Sequence, residues 1–278
     1  MSGYIYKSQE DNMIKLIATD MDGTLLNSRG ELSPNFYNVF KQLKEKNIIF
    51  AAASGRQYFT LVENFKAVSD DMLFIAENGT YIAYRGKEIA VHPLDRRVAH
   101  QLIEKGRTIE DVYIVLATSK GAYIENADED FVREVNKYYV KCQLIDDLLS
   151  VEGDILKVTI CDFKGAEHNS YLAYEDLRSK AQMSVAGDIW LDIMANGVNK
   201  GKAIEDIQQQ LGITYEETMV FGDYLNDFEM LQKAHHSYAM ANAHPSLKKI
   251  ARFSAKSNDE NGVIQKIKEV VLKQDDEY

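Results

Sequence analysis

The segment Lys15-Leu16-Ile17-Ala18-Thr19-Asp20-Met21-Asp22-Gly23-Thr24 changes character at its midpoint. The apolar run up to Thr19 predicts a strand buried on both faces, and the polar residues from Asp20 form the loop at its carboxyl end. Such a strand belongs to a parallel sheet and calls for a helix next. Leu32-Ser33-Pro34 supplies an N-cap serine with proline at the first helical position, and Phe36, Val39, Phe40 and Leu43 recur at helical spacing to about Asn47. Ile48 to Ala53 then reads as a second buried strand ending in Ser54-Gly55-Arg56, which makes a βαβ unit with a right-handed crossover.

Further along, Leu73 to Ala76 is a third strand, ending in the turn Glu77-Asn78-Gly79. Tyr81–Tyr84 and Glu88–Val91, around Arg85-Gly86-Lys87, predict a hairpin. From about His92 helical stretches (Arg96 to Ile109, Asp130 to Val140) interleave with strand-like runs, as in an α+β layer with a largely antiparallel sheet. After Trp190 the first pattern returns. A helix opens at Lys200-Gly201-Lys202 and closes at Gly212, and Thr218 to Phe221 is a buried strand running into Gly222-Asp223. The fold class is therefore α/β, a doubly wound parallel sheet. Its core is discontinuous, residues 13–85 and 187–278, with an α+β domain inserted at residues 86–186.

The chain has 278 residues, 45% hydrophobic and 27% charged, with 3 prolines, and so is an ordinary globular protein. Its net charge of −11 and the lack of any basic tract argue against a nucleic acid partner. No apolar window reaches membrane-span length, so no membrane partner is expected. Residues 1–12 are polar and acidic and read as a flexible extension rather than a secretory signal. Cys142 and Cys161 form no motif, which suits a reducing cytoplasm. His235-His236 reads as a solvated helix end, and Asp146-Asp147 and Asp275-Asp276-Glu277 as solvated termini of elements.

Chemistry concentrates where open α/β sheets collect ligands, at strand carboxyl ends. Asp20 and Asp22 are two apart on extended backbone, so both leave on one side. Carboxylates this close repel, which calls for a shared proton or a cation, and oxygen-only ligands favour Mg²⁺. Asp223 and Asp227 add two more carboxylates by the same strand-end logic. Ser54 and Lys200, at a loop and a helix start, offer a hydroxyl and an ammonium to an anion. A nucleophilic carboxylate, a second carboxyl able to carry a proton, a divalent ion and cationic donors are the equipment of phosphoryl transfer.

The four strings Asp20-Met21-Asp22-Gly23-Thr24, Ser54-Gly55-Arg56, Asn199-Lys200-Gly201 and Gly222-Asp223 with Asn226-Asp227 resemble the motifs of the haloacid dehalogenase superfamily. Within it the chain is similar to the Cof-type sugar phosphatases with a large α+β cap. That resemblance implies a Rossmann-like core and a Mg²⁺-dependent phosphatase of small phosphorylated metabolites. Asp20 would attack phosphorus, and Asp22 would protonate the leaving group and then activate water. The ion would be held by Asp20, Asp22 through its backbone carbonyl, and Asp223, with Asp227 nearby. Gly23, Thr24, Ser54, Gly55, Arg56 and Asn226 would bind substrate, and Lys200 would neutralise charge. Tyr224-Leu225 departs from the smaller residues usual in the fourth motif, and Asn78 is a lesser site candidate.

Two alternatives stay open. A phosphomutase would need cationic cap residues for a second phosphate, and Arg96, Arg97 and Arg133 form no evident clamp. A phosphometabolite-binding protein without turnover would not need Asp22.

Overall fold

The computed structural model describes residues 13–273; the extension expected over 1–12 and the acidic run at 275–277 lie outside the described residues. The chain divides into two compact units, one reaching Phe50 and resuming at Gln208, the other Ala51–Ile207.

The first unit opens with β1 (Leu16–Asp20), buried along its whole length. Helix α1 (Phe36–Glu45) follows and buries Phe36, Val39, Phe40 and Leu43, the stripe expected from their spacing. It starts later than expected. Asn35 is the cap, without a side-chain bond, and the Ser33 hydroxyl accepts from the Asn35 backbone N–H at 3.3 Å. The Phe36 ring meets Phe50 edge-on at 5.5 Å, locking the helix onto the start of β2 (Ile49–Ala53), whose Ile49 amide donates to the Lys15 carbonyl at 2.8 Å.

In the second unit β2 pairs in parallel with β3 (Leu73–Ala76) after helix α2 (Tyr58–Asn64). β4 (Tyr81–Tyr84) and β5 (Lys87–Val91) add the expected hairpin. Its turn places Arg85 at φ 53° and Gly86 at φ 70°, two left-handed residues that match the strand twist.

Helix α3 (Arg96–Gly106), capped by Asp95, leads to β6 (Val112–Thr118) and β7 (Gly121–Ile124). Asp128 caps α4 (Glu129–Tyr138), followed by β8 (Cys142–Leu144), β9 (Ile155–Asp162), α5 (Ser170–Ala173), β10 (Gln182–Val185) and β11 (Trp190–Met194). These six strands form a sheet of order β10-β11-β9-β6-β7-β8, antiparallel except for β7 with β8. The pleat gives each face its own core, Leu116, Val158, Ile160 and Ile193 on one side and Val115, Ala117, Phe131 and Cys161 on the other.

Helix α6 (Lys200–Leu211) carries the chain back to the first unit. There β12 (Thr218–Gly222), α7 (Phe228–Gln232), β13 (His236–Met240), α8 (Pro245–Ile250), β14 (Phe253–Ala255) and α9 (Gly262–Ile267) complete the alternation. β14, β13, β12 and β1 lie in that order, all parallel. His235-His236 is not a helix end: His236 begins β13, and burial lowers its pKa. The strand wins because His236, Tyr238 and Phe253 stack as cross-strand rings. No helix among the described residues is long and apolar enough to cross a membrane.

Candidate active site

Register decides which side chains meet. β1 and β12 run in parallel with Thr19 opposite Phe221, so the chain leaves both strands at one level, at Asp20 and at Gly222-Asp223. Oxygens of Asp20, Asp223 and Asp227 lie within 4.8 Å of one another, with Asp20 only 7% exposed. Two glycines make that approach possible. A Cβ on Gly23, which sits at φ 79°, would come within 2.4 Å of Asp223 Oδ2, and one on Gly222 within 2.5 Å of Asp227 Cβ. Only glycine tolerates both the backbone angle at residue 23 and the crowding.

The carboxylates are aimed by hydrogen bonds. Thr24 Oγ1 donates to Asp223 Oδ1 at 2.7 Å, and Asp227 Oδ2 accepts from the amides of Asp223 (3.0 Å) and Tyr224 (3.2 Å). The loop after β1 is tied internally, with the Leu25 amide on the Asp20 carbonyl and the Leu26 amide on that of Met21. Asn242 Nδ2 donates to the Gly23 carbonyl at 2.7 Å and Asn258 Nδ2 to that of Leu26 at 3.0 Å. Neither asparagine stood out in the sequence, since an Asn in a loop most often serves its own turn.

Three carboxylates in so small a volume repel strongly unless a cation lies among them. The donors are all hard oxygens within 4.8 Å of one another, so the set fits a divalent ion such as Mg²⁺. The Asp22 side chain is exposed and is not one of the three, and Asn226, Tyr224 and Leu225 are exposed too.

Ser54, Gly55, Arg56 and Lys200 belong to the second unit. Ser54 and Lys200 are buried, Gly55 and Arg56 half-buried. Lys200 is the first residue of α6, and Asn199 caps that helix by accepting from the Lys202 amide at 2.9 Å. The two motifs are joined by the turn Glu77-Asn78-Gly79. Its Glu77 and Asn78 amides donate to the carbonyls of Arg56 and Ser54, each at 3.0 Å. On its other side Gly79, at φ 99°, packs so closely that a Cβ would reach 2.5 Å from the Asn199 carbonyl oxygen. Glu77 and Asn78 also adopt left-handed angles, φ 50° and 57°. Two successive non-glycine residues in that region are strained backbone held by its surroundings.

What holds it is a buried ionic cluster that sequence reasoning missed. Lys157 on β9, 2% exposed, places Nζ 2.8 Å from Glu77 Oε2, 3.0 Å from Asp192 Oδ2 and 3.3 Å from the Gly55 carbonyl oxygen. β9 and β11 pair with Asp192 opposite Thr159, whose hydroxyl donates to Asp192 Oδ1 at 2.8 Å, and Asn78 Nδ2 donates to Asp192 Oδ2 at 3.1 Å. Burial works to lower the Lys157 pKa, but Asp192 and Glu77 outweigh it and hold the ammonium above its ordinary range. Burial raises the Glu77 pKa more than Lys157 pulls it down, so the charged form is disfavoured at Glu77.

Residues 17–267 match the model of the haloacid dehalogenase-like hydrolases, and the chain belongs to that family. It is an enzyme of the hydrolase class, with the α/β fold of its relatives. The chain is 30% identical over 261 residues, 93% of its length and 96% of the relative's, to a 5-amino-6-(5-phospho-D-ribitylamino)uracil phosphatase of Escherichia coli. It is 29% identical to an HMP-PP phosphatase of the same species, over 85% of this chain and 87% of that one. Among solved structures, SMU.1108c from Streptococcus mutans superposes with a TM-score of 0.82 at 30% identity, covering 93% of this chain and 99% of the other.

Proposed function

We propose that this hydrolase is a Mg²⁺-dependent phosphatase of small phosphate monoesters, sugar phosphates or related metabolites, acting through an aspartyl phosphate on Asp20. The observation that carries the reading is the convergence of the Asp20, Asp223 and Asp227 carboxylates within 4.8 Å at the ends of two parallel strands. The phosphatase names of the relatives support the substrate class.

In the first half-reaction an Asp20 oxygen attacks phosphorus in line, and the bond to the leaving alkoxide breaks as Asp22 gives it a proton. In the second, Asp22 takes a proton from water, the water oxygen bonds to phosphorus, and the bond to Asp20 breaks. Asp22 thus gives one proton to the leaving group and recovers one from water, so it ends the cycle as it began. Asp20, Asp223 and Asp227, with the Asp22 carbonyl, would hold the ion, which supplies positive charge against the phosphoryl oxygens. Thr24, Ser54, Gly55, Arg56 and Asn226 bind the substrate in this reading, and Lys200 balances negative charge. The region inserted between residues 86 and 186 selects the organic part of the substrate, and the enzyme works in the cytoplasm.

Phosphate release from a panel of phosphorylated metabolites, with and without Mg²⁺, tests this directly. Wild type is expected to release phosphate only with the ion, and Asp20→Asn to lose about 1,000-fold or more. Phosphate moved between positions of a sugar, or phosphometabolite binding with no turnover, would put a mutase or a binding protein in its place.

A further inference from the structure

The three successive carbonyls of Ser54, Gly55 and Arg56 are all engaged, by the Asn78 amide, by Lys157 Nζ and by the Glu77 amide. In a trans peptide the N–H points opposite to the C=O of the same plane, so fixing the Gly55 carbonyl fixes the Arg56 N–H. That N–H donates to Ser54 Oγ at 3.1 Å. The hydroxyl thus receives a hydrogen bond from one side and directs its own proton elsewhere. A continuous chain runs from the Lys157 ammonium through the Gly55 carbonyl and the Arg56 amide to the Ser54 oxygen. In a chain of this kind each bond polarises the next.

We propose that Lys157 is a positioning residue: through Gly55 and Arg56 it orients and polarises the Ser54 hydroxyl, and so sets how tightly the enzyme holds a phosphoryl group. The inference rests on the proposed phosphatase function. Stability is a poor reason for the cluster, because a buried ammonium and its carboxyl partners cost desolvation that an apolar packing would avoid. The strained turn holds the Ser54 and Arg56 carbonyls and Lys157 the Gly55 carbonyl between them, so together they fix three successive carbonyls, which is what a device for holding one loop requires.

The test is a double-mutant cycle between Lys157 and Ser54. Because Lys157→Met alone strands two buried carboxylates, the ammonium is removed in the neutral triple variant Glu77→Gln, Lys157→Met, Asp192→Asn, alongside the single variant. KM, kcat and the inhibition constant of inorganic phosphate are measured for each, with and without Ser54→Ala. Loss of the ammonium is expected to raise KM and the phosphate constant about tenfold, the worth of a charge-assisted bond. In the Ser54→Ala background the same loss is expected to change them less than about twofold, because the two act as one unit. Unchanged KM and phosphate affinity with only a lower melting temperature would overturn the inference, as would effects that multiply. If the wild type hydrolyses no ester, the phosphatase reading fails separately, and calorimetric phosphate binding across the same cycle still decides the role of Lys157. A wild type that neither hydrolyses esters nor binds phosphate overturns both.

Discussion

At the scale of single residues the account depends on close approach. Gly23 is the clearest case, since its backbone is left-handed and a Cβ there would come within 2.4 Å of Asp223 Oδ2, so that carboxylate would have to move. Gly23→Ala is expected to push the Asp223 carboxylate away from Asp20 and to destabilise the loop by about 1–3 kcal/mol. A Mg²⁺ titration of activity should then show a higher half-saturating concentration, whereas an unchanged titration would mean that Asp223 does not depend on this approach. Asp20, Asp223 and Asp227 were readable as neighbours because Asp20 ends β1 and Asp223 follows β12 directly, with Asp227 in the next turn. Lys157 and Asp192 were not, because a polar residue inside a strand announces only that it faces one side. Which side is buried, and against what, depends on pairing with residues 77 and 55, far away in sequence.

Secondary-structure elements were legible where apolar spacing or turn residues were regular. α1 showed its buried stripe, and the Arg85-Gly86 hairpin its turn, while His235-His236 went wrong because ring stacking between strands leaves no local trace. Asp147 is likewise more than a solvated terminus. Arg107 on the turn after α3 donates to Glu125 Oε1 at 2.8 Å and to Asp147 Oδ1 at 2.7 Å. Burial opposes ionisation of Glu125, but the bonds from Arg107 and the Leu148 amide prevail and hold its pKa below the ordinary 4.5. The bond from Arg107 lowers that of Asp147 as well.

A carboxyl with a depressed folded-state pKa contributes stability above its unfolded value and loses it as the pH falls through the folded value. The cluster therefore stabilises the second unit above pH 4.5 and fades below it. Arg107→Met is expected to lower denaturant stability at about pH 7, and the gap from wild type should close as the pH falls below about 4. A gap that stays constant with pH would assign the loss to packing of the Arg107 stem instead.

For the whole molecule, the order of motifs along a discontinuous core carried most of the functional reading. The division into units at Phe50 and Gln208 could not be seen in it, because β2 and α6 each read as one uninterrupted element across those points. The net charge of −11 is unfavourable for an anionic substrate, so in the proposed function the attraction would have to come from cations such as Lys200 and Arg56 and from the divalent ion. High salt is accordingly expected to alter KM modestly in the favourable direction, through screening of the general negative field. A steep rise in KM with salt would show instead that the local cations dominate at long range.

The central claim is that Asp20 becomes phosphorylated during turnover. The most direct measurement is peptide mapping of acid-quenched Asp22→Asn protein after reaction with p-nitrophenyl phosphate, whose leaving group needs no proton. The first half-reaction then proceeds while the second, which needs Asp22 to activate water, stalls. A phosphoryl group accumulating on the peptide that contains Asp20, in step with a burst of p-nitrophenolate, is the expected result. A burst with no phosphoryl group on that peptide, or turnover by Asp20→Asn at the wild-type rate, would contradict the account.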